Sequence, residues 1–194
     1  MTTTRVELDA YPKSLILRDG SKVELRLLNE GDKLSLMRFF EGIPEDERYY
    51  LKENVTSPEV IKEWVSHVDI NRVFPIVAIV DGEIVADGTL HRSRTMARRH
   101  VGELRVIVAP EYRERGLGRR LIRELLDIAA GLGLRKATFE LVSERQEAAI
   151  MAAMSLGFRE VATLKEEVRD FWGNYQDVAR LDLPLKNHEL WWAY

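Results

Sequence analysis

The stretch Val101–Ala130 reads VGELRVIVAPEYRERGLGRRLIRELLDIAA. An apolar run, Leu104 to Val108, precedes Pro110, where a central strand must stop because proline has no N–H to donate. Beyond the segment Arg113-Glu-Arg-Gly116-Leu-Gly118, an apolar stripe of Leu117, Leu121, Leu125, Ile128 and Leu132 recurs every three or four residues and predicts a helix. A strand, a glycine turn and a helix start expose several backbone N–H groups at the positive end of a helix, which suits a phosphate. Gly116 and Gly118 let the backbone approach the anion without a Cβ in the way, and Arg113, Arg115, Arg119 and Arg120 surround the spot with positive charge. Other glycine-rich phosphate loops fit worse. The chain has no Gly-Lys-Ser/Thr and no early GxGxxG.

Outward from this stretch, strands and helices alternate. Ser14–Leu17 and Val23–Leu28 flank Asp19-Gly20, and Phe74–Val80 and Glu83–His91 flank Asp81-Gly82; both read as hairpins. Between them, Asn29 to Asp32 offers capping side chains for a helix bearing Leu34, Met37 and Phe40 on one face. Glu45–Lys52 reads as a second, charged helix, and Ser57-Pro58-Glu59 opens a third with Ile61, Trp64, Val65 and Val68 on its apolar stripe. Residues 93–100 form a basic, irregular loop. Downstream, Lys136–Val142 is a strand, Ser143 caps a helix running to Ser155, and Phe158–Leu164 and Val178–Leu183 close the chain as strands joined through Gly173-Asn174. Early hairpins, one β-α-β crossover and antiparallel strands at the end predict an α/β (α+β) fold on a mixed sheet.

The 194 residues suffice for one domain with a real core, and a net charge near −3 gives no global pull toward nucleic acid or membrane. The absence of cysteine excludes disulfides, thiolate metal sites and an acyl-cysteine intermediate. No apolar leader or bilayer-length run is found, so the expected location is the cytoplasm. The four histidines show no metal-ligand spacing with carboxylates, and no metal site is expected.

Arg113-x-x-Gly116-x-Gly118 after a strand–Pro–x–Tyr–Arg lead-in resembles the acyl-CoA pyrophosphate loop of the GNAT superfamily of N-acetyltransferases. Ala149-Ile150, followed by Leu156-Gly157-Phe158, resembles that family's later helix and its closing Leu-Gly-Phe. The opening section, LRDGSKVELRLLNEGD and then FFEGIPEDERYY, is similar to bacterial protein-lysine acetyltransferase modules. The resemblance implies a mostly antiparallel sheet of about seven strands, splayed beside the fourth, central strand, with helices on both faces. It covers residues 15–184, leaving 1–14 as an N-terminal arm and 185–194 as a tail. It further implies acetyl-CoA as co-substrate and a primary amine as acceptor, a protein lysine or a small amine. Backbone groups of Val106, Ile107 and Val108 would pair with the pantetheine arm, and the segment Arg113, Arg115, Gly116, Leu117, Gly118 and Arg119 would hold the pyrophosphate. A non-catalytic acyl-CoA sensor is the alternative.

Acyl transfer to an amine needs a base, a polarised thioester carbonyl and a stabilised leaving thiolate. Without cysteine, direct attack in a ternary complex is the natural route. On strand alternation Leu104, Val106 and Val108 share one face, and Glu103, Arg105 and Ile107 the other. Glu103 stands where many members of the family place a catalytic glutamate and is expected as base, or else simply pairs with Arg105 or a neighbouring strand; Glu140 is the second candidate. The family's tyrosine, which protonates the thiolate, is replaced by Ala153, leaving Ser155, Tyr175 or solvent. His91 reads as structural or as facing the acceptor. Arg92, Arg94, Arg98 and Arg99 read as a solvated loop or as a clamp for a phosphate. The tail residues Leu190, Trp191, Trp192 and Tyr194 would be a costly patch if bare and are expected to pack on the domain or on a second subunit as a homodimer.

Overall fold

The computed structural model describes residues 10–185. The tail aromatics fall outside that range. The order of elements is β1 (Lys13–Ile16), β2 (Lys22–Leu27), α1 (Lys33–Glu41), α2 (Glu45–Arg48), α3 (Pro58–Ser66), β3 (Val73–Val80) and β4 (Glu83–Arg92). There follow β5 (Val101–Val108), α4 (Leu117–Gly131), β6 (Lys136–Val142), α5 (Glu147–Met154), β7 (Arg159–Arg169) and β8 (Tyr175–Pro184). The strands form one sheet in the order β1-β2-β3-β4-β5-β6-β8-β7. Every pairing is antiparallel except β5–β6, where α4 carries the chain across as a parallel connection.

Each face of the sheet buries a separate core. Phe74, Ile76 and Leu90, with Leu104 from β5, pack against Leu121, Ile122 and Leu125 of α4, and α5 adds Ala153. On the other face Val77 and Ile84 pack against Leu36, Phe39 and Phe40 of α1 and Ile61 and Val65 of α3. The alternation expected along β5 holds: Leu104, Val106 and Val108 join the α4 side, while Ile107 joins the other. Gly102 makes the close packing at the start of β5 feasible, since a Cβ there would lie 2.6 Å from Leu90 Cδ1 and 2.8 Å from Leu134 Cδ1.

Several elements differ from the sequence reading. The sheet has the eight strands read segment by segment, one more than the resemblance implies, so the splay lies beside the fifth strand and not the fourth. Helix α2 ends at Arg48 instead of Lys52, because i→i+3 bonds from Tyr50 to Glu47 and from Leu51 to Arg48 tighten the chain out of the helix. Ser143 does not cap α5. Residues 142–146 form a turn in which Arg145 and Gln146 both donate to Val142 O, and the Gln146 side chain returns to accept from Val142 N at 2.7 Å, so the helix opens only at Glu147. Strands β7 and β8 each extend further toward their turn than expected, to Arg169 and from Tyr175. The basic loop contains a short 3-10 turn, Met96–Arg98. By contrast Ser57 caps α3 as expected, while Asn29 forms a reciprocal box with Asp32 on the 3-10 turn Glu30–Asp32 that leads into α1.

Candidate active site

Strands β5 and β6 pair only from Val101 to Glu103 and from Lys136 to Thr138, and then part. From Leu104 to Val108, β5 is paired with β4 on one side alone, so alternate N–H and C=O groups on its other side have no strand partner. The strand leads through Pro110–Tyr112 into a turn whose last residue, Gly116, takes φ of +88° as N-cap of α4. That left-handed geometry turns the chain so that the first amides of the 15-residue helix point out of its end. At Gly118 a Cβ would come 3.6 Å from Val108 Cγ2, so the helix start lies directly against the end of β5. The open edge and the amide-rich turn are therefore one continuous groove. A chain with a strand-like amide arm and a diphosphate end fits both.

The arginines of the turn do not all stand free. Arg113 donates to Val108 O at 3.0 Å and forks onto Glu47 of α2 at 2.9 and 2.6 Å. Arg115 pairs with Asp19 of the β1–β2 turn at 2.6 Å and lies over the Tyr112 ring. Arg119 donates to Ser155 Oγ. The side chains of all three are thus engaged, and the Arg113 N–H is engaged as well, donating to Pro110 O at 3.3 Å.

On the face of the sheet opposite α4 lies a cavity of about 760 Å³, reaching the splay. Glu103 and Glu140 both line it, one from each side of the opening. Between them sits Lys52, whose Nζ lies 2.7 Å from Glu103 and 3.5 Å from Glu140. Each glutamate also keeps an arginine of its own: Arg105 at 2.9 Å for Glu103 and Arg180 at 2.5 Å for Glu140. Burial works to raise the Glu103 carboxyl, but Lys52 and Arg105 outweigh it and hold the group below its ordinary value.

Two further titratable groups line the cavity from β4. Asp87, opposite Ile107, is partly buried and has no side-chain hydrogen bond or ion pair among the described residues; burial pushes its carboxyl up to about 7. His91, opposite Glu103, shares a 3.0 Å hydrogen bond with Thr89, and burial followed by the charge of Arg105 pushes its imidazole down to about 4. It is neutral at pH 7. Sequence reading did not single out Asp87, though an acid inside the otherwise apolar IVADGTL of a central strand was a legible signal.

Of the acid candidates, Ala153 is fully buried in the core beneath α5, and Ser155 already donates to Ala152 O while accepting from Arg119. Tyr175 is exposed at the start of β8 and does not line the cavity; the phenol that does is Tyr50. Arg92 and Arg94 reach the cavity wall, whereas Arg98 and Arg99 do not. No cluster of side chains suited to a metal ion occurs among the described residues, and no helix there is long and apolar enough to cross a membrane.

Comparison with known proteins bears on this geometry. The chain is 37% identical over 83 residues to a phosphinothricin N-acetyltransferase of Streptomyces coelicolor, a match covering 43% of this chain and 47% of that one. It thus spans about half the length of that relative. Among solved structures it resembles yncA of Salmonella typhimurium, determined with its cofactor acetyl-CoA, at a TM-score of 0.73 and 20% identity over 86% of this chain and 95% of that one. It also resembles the ribosomal-protein-S5-alanine acetyltransferase of Vibrio fischeri, at a TM-score of 0.75 and 16% identity over 90% and 98% of the two chains. Residues 36–158, which hold the open strand edge, the glycine turn, α4 and the closing Leu-Gly-Phe, match the model of one family: the chain belongs to the acetyltransferase (GNAT) family.

Proposed function

We propose that the protein is an N-acetyltransferase that moves an acetyl group from acetyl-CoA to a primary amine by direct attack. The observation that carries this reading is the parting of β5 and β6 after Glu103, which leaves a bare strand edge running into an amide-rich helix start. Along that groove the backbone of Val106, Ile107 and Val108 would pair with the pantetheine arm. The amides from Arg115 to Arg119, through Gly116, Leu117 and Gly118, would hold the diphosphate, with Arg113 bracing the turn. Bound acetyl-CoA supplies an activated acyl carbonyl at the head of the splay. Glu103 and Glu140 receive the acceptor's ammonium in the place that Lys52 takes, and Glu103 takes its proton directly or through water. Asp87 is a further carboxyl of the cavity able to hold that proton near neutral pH.

A pair of carboxylates at the mouth of the splay favours a cationic amine, such as a lysine side chain or a small ammonium compound, over an anionic acceptor. The relatives' names point to different acceptors, phosphinothricin in one case and an alanine of ribosomal protein S5 in another, and neither is a lysine side chain. The absence of a phenol at Ala153 supports a second reading, an acyl-CoA sensor without turnover.

Calorimetric titration with acetyl-CoA, beside CoA and ADP, tests the first step, and thiol release in the presence of amines or lysine peptides tests the second. Binding that requires the pantetheine arm, together with thiol release that Glu103→Gln cuts by roughly 10²-fold or more, is the expected outcome. Binding without thiol release for any amine would leave the sensor. Equal affinity for ADP and acetyl-CoA would remove both readings.

A further inference from the structure

We infer that Lys52 is itself an acceptor, and that the enzyme acetylates this lysine within its own chain. The inference rests on the acetyl-CoA reading above but concerns a site that reading leaves unassigned. Lys52 follows α2 in a bend and crosses the cavity to place its amine on Glu103 and Glu140, the carboxylates that flank the opening between β5 and β6. An amine within 2.7 Å of a candidate base, at the head of the groove that holds the thioester, has the arrangement an incoming acceptor must reach. Its side chain is about half exposed, at 48%, so it is not sealed beneath other groups.

The surrounding charges tolerate the product. Glu103 keeps Arg105 and Glu140 keeps Arg180, so converting the Lys52 ammonium to a neutral amide leaves neither carboxylate without a cation. The reaction balances as follows. Glu103 takes a proton from the ammonium, the freed nitrogen attacks the thioester carbonyl and the C–N bond forms, and the nitrogen gives its second proton to solvent as the C–S bond breaks. The acetyl group stays on Nζ, CoA leaves as thiolate and is protonated by solvent, and one proton is released overall. The acetylated side chain no longer ion-pairs with the two glutamates, so it vacates the ammonium site for an external amine.

The test is incubation of the purified 194-residue chain with acetyl-CoA, followed by peptide mass spectrometry, with acetyl-CoA binding measured by calorimetry on the same sample. The expected result is acetylation of Lys52 well ahead of the exposed Lys22 and Lys62, at a first-order rate that does not change with protein concentration. Glu103→Gln should slow modification of Lys52 tenfold or more and leave that of Lys22 and Lys62 unchanged. Acetyl-CoA binding with Lys52 unmodified overturns this inference and spares the functional reading; absent binding overturns both. A rate rising with protein concentration, or equal modification of all three lysines in both proteins, marks intermolecular or purely chemical acetylation and also overturns it.

Discussion

Replacing Asp87 with asparagine should stabilise the protein at neutral and alkaline pH and leave it unchanged in acid. Asp87 lines the cavity without a hydrogen bond or ion pair among the described residues, and burial lifts its carboxyl from 3.8 to about 7. In the unfolded chain the same group ionises near the ordinary aspartate value. Between these two values the folded protein retains a proton that the unfolded chain has released, so stability falls as pH rises, and the loss is complete above about 7. A difference of about three pH units at about 1.4 kcal/mol each sets an upper bound of about 4 kcal/mol. Water entering the cavity lowers this, and a gain of about 2 kcal/mol for Asp87→Asn at pH 8 is the working figure. Asparagine copies the shape and neutrality of the protonated acid, so the difference should vanish near pH 4. Urea unfolding of both proteins at pH 4, 6 and 8 gives the comparison directly. A difference that is the same at all three pH values, or a variant less stable at pH 8, would refute the reasoning. If Asp87 also holds the acceptor's proton, the stabilised variant will be the slower enzyme.

Two other perturbations probe the frame of the site. Arg26→Met removes the fork that holds Asp32 at 2.7 and 2.6 Å, leaving a carboxylate only 5% exposed without its cation, and should cost about 3 kcal/mol at pH 7. Burial works to raise the Asp32 carboxyl, while Arg26 and the Asn29 amide outweigh it and hold the group low, so the stabilisation it provides fades as pH falls. Thermal unfolding should find the gap between variant and parent narrowing toward pH 3. Gly116→Val forces a branched side chain into φ of +88° at the start of α4 and should weaken acetyl-CoA binding about tenfold or more by calorimetry. In Gly118→Ala the new Cβ meets Val108 at an ordinary contact distance of 3.6 Å, so the variant should fold as the parent does, and a weaker acetyl-CoA affinity in it reports the anion's approach to the backbone rather than a distorted helix start.

Much of the scaffold was legible because its signals are local. The strand–turn–helix from Val101 to Ala130, the turns at Asp19-Gly20 and Asp81-Gly82, and the caps at Asn29 and Ser57 each lie within a few residues of what they control. The strand alternation that places Glu103 and Ile107 on one face was equally readable. The parts that escaped depend on residues far apart in the chain. Nothing near Lys52 says that it reaches Glu103, 51 residues on, and Glu140, 88 residues on. The raised carboxyl of Asp87 depends on which elements cover it, and the need for glycine at 102 depends on Leu90 and Leu134 closing around it. The start of α5 was misplaced because a serine is a good cap only where the chain behind it is free, and here a turn had already claimed residues 142–146.

The bare edge of β5 also has a cost in solution. An unpaired strand edge is a template for any other extended chain, and proteins ordinarily cover, charge or kink such edges. Here the segment is RVIV, nearly all apolar, and its main defence is recession between two diverging strands. A ligand that completes the ladder would remove the hazard. The protein should therefore resist self-association better when its groove is filled, and handling it with the co-substrate present should preserve the monodisperse state.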